Sequence, residues 1–135
     1  FYESSTSSHC RKQLDEFNRN LGEFRRRGAV LLAVSADAPE LSAQFAKDFH
    51  LAFPLLGDPS LETIQAYGMA RMGKDVAVPG IFIIPQNGRI YWKYVSEAMG
   101  DRPSLRWVLY ILDDALVPGK DSLPPGTVMP HRQTF

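Results

Sequence analysis

At 135 residues, 44% of them hydrophobic, the chain is one domain of ordinary size with enough apolar material for a real core. Fifteen Lys and Arg balance fifteen Asp and Glu, which removes charge as a lead toward nucleic acid or an acidic membrane as partner. The single cysteine excludes an intramolecular disulfide and a multi-thiolate zinc site. No apolar run approaches the roughly 20 residues of a membrane span, and no signal-peptide pattern is visible. A reducing, cytoplasmic compartment is the favoured expectation. Localisation stays open, because the chain starts at Phe1 and a targeting segment could already have been removed.

Phe1-Tyr2 reads as the remnant of a strand. After Ser7-Ser8-His9-Cys10-Arg11-Lys12, apolar Leu14, Phe17, Leu21 and Phe24 recur at spacings of three and four. This predicts one helix over residues 8–27, ended by Gly28. Residues 29–34 are continuously apolar, as in a strand covered on both faces, and stop at Ser35-Ala36-Asp37. Pro39 suits a first helical position, with Leu41, Phe45 and Phe49 as the inward face of a second helix. Residues 53–56 read as a short strand, placed at an edge or bent by Pro54, and Gly57-Asp58-Pro59 closes it.

A third helix is predicted over residues 60–67, with Leu61, Ile64 and Tyr67 on one face and Gly68 as C-cap, and residues 69–76 read as a loop. Residues 80–84 and 89–95, separated by Pro85-Gln86-Asn87-Gly88, read as antiparallel strands joined by an Asn-Gly turn. A last helix over residues 104–116 presents Leu105, Val108, Leu109, Leu112 and Leu116. The Pro- and Gly-rich residues 117–135 form an irregular tail, a surface brace or dimer arm, beside a domain of residues 1–116. The order is that of an α/β sheet flanked by helices on both faces.

Cys10 stands at a predicted helix start, where unpaired backbone N–H groups and the positive end of the macrodipole stabilise a thiolate. One such cysteine can act as a nucleophile. Ser7 and Ser8 are both N-cap candidates, and Ser8 is the expected cap. His9 adjoins Cys10, but neighbours on a helix point different ways and no matching His or Cys pair is in reach, so no metal site is expected. Arg11 and Lys12 either support the thiolate by charge or are simply solvated. His50 and His131 have no motif around them, and Tyr91, Trp92 and Tyr94 read as packing.

Phe1-Tyr2, the run from Ser7 to Leu14, Val34-Ser35-Ala36-Asp37, Phe53-Pro54-Leu55-Leu56-Gly57-Asp58-Pro59, Ala66-Tyr67-Gly68, the run from Val78 to Ile84, and Asn87-Gly88-Arg89-Ile90 come in order. Together they resemble the thioredoxin-like alkyl hydroperoxide reductase and thiol-specific antioxidant (peroxiredoxin-like) family over residues 1–116. The resemblance implies a thioredoxin-like α/β fold, a central mixed sheet flanked by helices, with the N-terminal strand truncated. Residues upstream of Phe1, or a strand from another chain, are then expected to complete the sheet. It further implies Cys10 as the peroxidatic residue and Ser7, three residues earlier, as the hydroxyl that orients substrate. Val78, Pro79, His9 and Arg11 are the implied substrate-binding set, with a cis bond before Pro79.

Two positions depart from the family pattern. Glu3 stands where the family has proline, placing a carboxylate near the thiol, and Pro79 stands where it has arginine. In relatives with a Cys-x-x-Cys pair, Ser7 stands in the place of the first cysteine. This leaves open a protein working with one thiol or a serine introduced to trap a mixed disulfide. The implied function is reduction of a hydroperoxide by Cys10 with an external thiol of the thioredoxin or glutathione type. It needs no cofactor, no nucleic acid and no membrane, and a homodimer is one expected assembly. The alternative is a catalytically silent thioredoxin-like module that binds a protein.

Overall fold

The computed structural model describes residues 1–98, 100–118 and 133–134. The chain forms two compact units, Phe1–Pro79 and Gly80–Phe135. The first holds α1 (Ser8–Arg19), α2 (Leu21–Arg26), β1 (Ala33–Ser35), α3 (Pro39–Asp48), β2 (Leu55–Gly57) and α4 (Glu62–Ala66). The second holds β3 (Gly80–Ile83), β4 (Trp92–Val95), β5 (Asp101–Arg102), α5 (Leu105–Ala115) and β6 (Gln133–Thr134).

The single helix expected over residues 8–27 is two helices. Asn20, at φ −113°, stops α1, and its side-chain amide donates to the Glu16 carbonyl at 2.8 Å, taking up an acceptor of the last turn. The apolar stripe continues across the break, so Leu14, Phe17, Leu21 and Phe24 are all buried. Gly28 ends α2 as expected, at φ +71°. Its N–H reaches the Arg25 carbonyl while that of Ala29 reaches Phe24, the Schellman arrangement. Gly68 ends α4 in the same way, and His50 ends α3 so at φ +53° without being glycine.

β1 is shorter than the apolar run suggests. Val30 is 87% exposed, and pairing starts only at Ala33, whose N–H donates to the Pro54 carbonyl. β1 and β2 run parallel, Ala33 opposite Leu55 and Ser35 opposite Gly57. The Val34 carbonyl, facing the other way, accepts the Tyr2 N–H at 3.0 Å, so the first residues lie along the opposite side of β1 from β2. α3 starts at Pro39 and packs on β2. Its buried residues are Ser42 and Phe45. The expected partners Leu41 and Phe49 are exposed, with the Phe49 ring resting on that of Phe45 at 4.7 Å. In α4 only Ile64 of the predicted face is buried; Leu61, at φ +64°, precedes the helix, and the Asp58 carboxylate caps it by accepting the Ile64 N–H.

Residues 69–76, expected as a loop, are pinned by a bridge between Ala70 and Ala77 and by the Val78 N–H on the Met69 carbonyl at 2.7 Å. No described peptide bond is cis, which corrects the expectation at Pro79. The trans isomer is the intrinsically preferred one, and the pairing of Ala77 and Val78 with residues 69–70 keeps the chain extended into Pro79. Tyr2, Cys10, Leu14, Leu21, Ala33, Phe45 and Phe53 make the core of this unit.

In the second unit, β3 and β4 are antiparallel with Ile81 opposite Tyr94 and Ile83 opposite Trp92, the hairpin the sequence predicts. Its turn closes from the Gly88 N–H to the Pro85 carbonyl, with Gly88 at φ +79°. α5 is capped by Ser104 and buries Val108 and Ile111, the latter absent from the predicted face. Ile111 joins Ile83, Tyr91, Trp92 and Tyr94 in an aromatic core. β5 pairs antiparallel with β6. The expected irregular tail falls largely outside the described residues; Gln133 and Thr134 within it are strand.

Candidate active site

Cys10 is the third residue of α1, and the chain before it is shaped to start the helix there. Ser7 is the N-cap: it is extended, at φ −75° and ψ 120°, and its hydroxyl accepts the Cys10 N–H at 3.3 Å. Ser8, the expected cap, is instead the exposed first helical residue. The Cys10 side chain is 1% exposed. Its sulfur accepts the backbone N–H of Glu3 at 3.4 Å. The thiol therefore meets one directed N–H at the start of a helix.

The residues before the helix are anchored on three sides. Tyr2 is tied to β1 through Val34, and the Phe1 ring lies 5.3 Å from that of Tyr67. The Ser5 N–H donates to the Asp37 carboxylate at 3.0 Å. Arg11 donates from Nε to the Ser5 carbonyl, and its guanidinium lies over the rings of Phe45 and Phe49, at 5.6 and 5.0 Å. Its charge is thus held on the α3 side, bracing the loop. Glu3 presents its N–H to the sulfur, while its carboxylate pairs with Arg71 at 3.8 Å.

The structure thus joins the Ser7 hydroxyl to the backbone N–H of Cys10. His9 is half-buried in the same turn, and Arg11 is exposed beside it. Val78 and Pro79 are held by the contacts of the 69–78 segment, Val78 half-buried and Pro79 buried.

Four residues around the start of α1 and the stretch before it were not singled out by sequence reasoning as site residues in these roles. Tyr2 is buried beside Ser35 and Ser42, yet neither its hydroxyl nor that of Ser42 is aligned with a partner among the described residues. Burial pushes its phenol up; the neighbouring Ser35 and Ser42 hydroxyls oppose this, and the charges of Asp37 and Cys10 add to it. The phenol therefore stays a protonated donor. Gln13, one turn beyond Cys10 on the same face, is buried, and its amide nitrogen has no partner among the described residues. A polar residue at an apolar-face position was its only signal. Asp37 and Arg71 are distant in sequence and carry no local signal.

The sequence model of the AhpC/TSA family matches residues 1–93. A Mycobacterium tuberculosis protein that carries the name peroxiredoxin is 35% identical over 113 residues, covering 78% of this chain and 72% of that protein. The thiol-disulfide oxidoreductase ResA of Halalkalibacterium halodurans is 30% identical over 82 residues, 60% of this chain and 43% of that protein. Among solved structures, Mycobacterium tuberculosis AhpC superposes with a TM-score of 0.76 at 28% identity, covering 85% of this chain and 66% of that one.

Proposed function

Since the chain belongs to the AhpC/TSA family and is a thiol-dependent oxidoreductase of the peroxiredoxin-like type, we propose that Cys10 reduces hydroperoxides and is regenerated by an external thiol. The observation that carries this is the Glu3 N–H on the Cys10 sulfur, at the start of a helix capped by Ser7. The Cys10 thiolate attacks the terminal oxygen of a hydroperoxide; the O–O bond breaks, sulfur is oxidised to sulfenic acid, and the alkoxide leaves and takes up a proton. A first external thiol condenses with the sulfenic acid, releasing water and forming a mixed disulfide. A second thiol then attacks that disulfide, restoring the Cys10 thiol and leaving the reductant as its own disulfide. Cys10 is the only cysteine of the 135 residues, so within this sequence no second thiol resolves the sulfenic acid, and the scheme draws both electrons from the partner thiols.

Ser7 is assigned the orientation of the peroxide, with Val78, Pro79, His9 and Arg11 as the surrounding wall. A sulfur that is 1% exposed admits a small oxidant more readily than a bulky thiol, so the reductive half-reaction calls for opening of the first turn of α1. The test is peroxide consumption by the full chain with a dithiol reductant, with dimedone to trap the sulfenic acid. Wild type is expected to consume peroxide and to carry dimedone on Cys10, and Cys10→Ser to do neither while keeping its fold. A wild-type thiol that neither takes dimedone after peroxide nor forms a mixed disulfide with glutathione makes the chain a silent binding module instead.

A further inference from the structure

We infer that Arg71 is a positioning residue for the Cys10 thiolate: by pairing with the Glu3 carboxylate it screens that charge from the sulfur while the Glu3 N–H stays on it. This rests on the reading of Cys10 as the nucleophile. The Glu3 amide nitrogen is 3.4 Å from the sulfur, and its side chain is two methylenes long. Bond lengths alone keep the carboxylate within about 9 Å of the sulfur in any rotamer. Salt screens exposed charges beyond about 8 Å, but a buried group is screened much less, and Cys10 is buried, so an unpaired Glu3 would repel a thiolate and slow its chemistry.

Arg71 lies 3.8 Å from the Glu3 carboxylate. Its backbone is fixed: the Arg71 N–H donates to the Val76 carbonyl, the Arg71 carbonyl accepts the Lys74 N–H, and Ala70 is bridged to Ala77. The contact of Phe1 with Tyr67 ties the same two stretches together a second time. Other ionisable groups on the neighbouring elements are Asp37, held by the Ser5 N–H, the Tyr2 phenol, and His9 and Lys12 on either side of Cys10 in α1. Arg11 is engaged with Ser5 and the two rings. Arg71 is thus a cation positioned to balance Glu3. Both partners are more than a third exposed, so the pair contributes little to stability and its effect belongs in thiol reactivity.

The experiment compares wild type, Arg71→Gln, Glu3→Gln and the double variant, each as the full chain with its fold checked by circular dichroism. The rate of Cys10 alkylation is followed against pH, and ultraviolet thiolate absorption gives the same comparison without a reagent having to reach the buried sulfur. Arg71→Gln is expected to slow alkylation about three- to tenfold at neutral pH and to move the pH–rate profile to higher pH. In the Glu3→Gln background the same change is expected to alter the rate less than about twofold, and Arg71→Lys to restore most of it. An Arg71→Gln rate and profile like wild type, or equal slowing with and without Glu3, overturns the inference. Peroxide consumption separates the two readings. A wild type that consumes no peroxide but shows the expected ordering in alkylation loses the peroxidase reading alone. An active wild type with unchanged Arg71→Gln loses this inference alone.

Discussion

Ser7 and Ser104 occupy the same position at the starts of α1 and α5, each accepting the N–H of the residue three places on, at 3.3 and 3.1 Å. In the first unit that residue is a buried thiol; in the second it is Trp107, packed against the aromatic core. The buried tyrosines divide in the same way. Tyr91 and Tyr94 donate to the carboxylates of Asp114 and Asp101, whereas Tyr2 has no aligned partner among the described residues. The second unit closes its two buried phenols on carboxylates. The first leaves the Tyr2 phenol without an aligned partner among the described residues, in the core that holds the Cys10 thiol.

The sharpest way to break this contrast is to damage the scaffold under the thiol. Gly57 sits on β2 where a Cβ would lie 2.4 Å from the Asp37 carbonyl oxygen and 2.8 Å from the Pro39 nitrogen, both backbone atoms. Gly57→Ala must therefore push the turn that carries Asp37, the acceptor of the Ser5 N–H. A loss of about 2–4 kcal/mol in denaturant unfolding is expected, with slower thiol alkylation. A loss below about 0.5 kcal/mol would show that the turn yields and does not hold the site.

The phenol–carboxylate pair of the second unit comes next. Burial, then the hydrogen bond to Asp114 and its charge, push the Tyr91 phenol up from 10.0 to about 12. A raised pKa means that the folded state holds the proton more tightly. This contribution is fully present below about pH 10 and is lost as pH rises toward about 12. Tyr91→Phe is expected to lose about 1.5 kcal/mol at neutral pH, and the gap to wild type should shrink across that alkaline window. A gap independent of pH would mean that the Asp114 contact contributes nothing specific. The caps give a smaller and more telling pair of numbers. Ser7→Ala and Ser104→Ala should each lose about 1 kcal/mol, but only Ser7→Ala should also slow peroxide reduction. Equal rates in the two variants would reduce Ser7 to a structural cap.

The main helices, the β1 and β2 strands, the hairpin and the Cys10 helix start were legible in the sequence because each is written locally, in apolar period and turn residues, whereas the cap was expected at Ser8 and is Ser7, and β5 was not foreseen. The break at Asn20 was not, because the stripe from Leu14 to Phe24 runs through it unchanged and only a side-chain bond to Glu16 marks it. Nor was the end of α3 at His50, where a residue other than glycine takes the left-handed conformation. The site was half legible. Cys10 and Ser7 are neighbours in sequence, while Glu3 meets Arg71, and Tyr2 meets Ser35 and Ser42, only through the path of the fold. Glu3 was read from its carboxylate, but its backbone N–H is the group that touches the sulfur.

Tyr2 gives the smallest expected change in stability and the cleanest separation of the two units. A buried hydroxyl with no aligned partner among the described residues recovers little for its lost hydration from the nearby Ser35 and Ser42 hydroxyls, so Tyr2→Phe removes a liability along with the oxygen. Its stability should match wild type or exceed it by up to about 1 kcal/mol, against the loss expected for Tyr91→Phe. If the phenol serves the chemistry, peroxide reduction should slow in the same variant, because a protonated donor near the developing charge is gone. A Tyr2→Phe protein as destabilised as Tyr91→Phe would mean that the Ser35 and Ser42 hydroxyls hold this phenol as firmly as the carboxylates hold the others, and the contrast between the units would disappear.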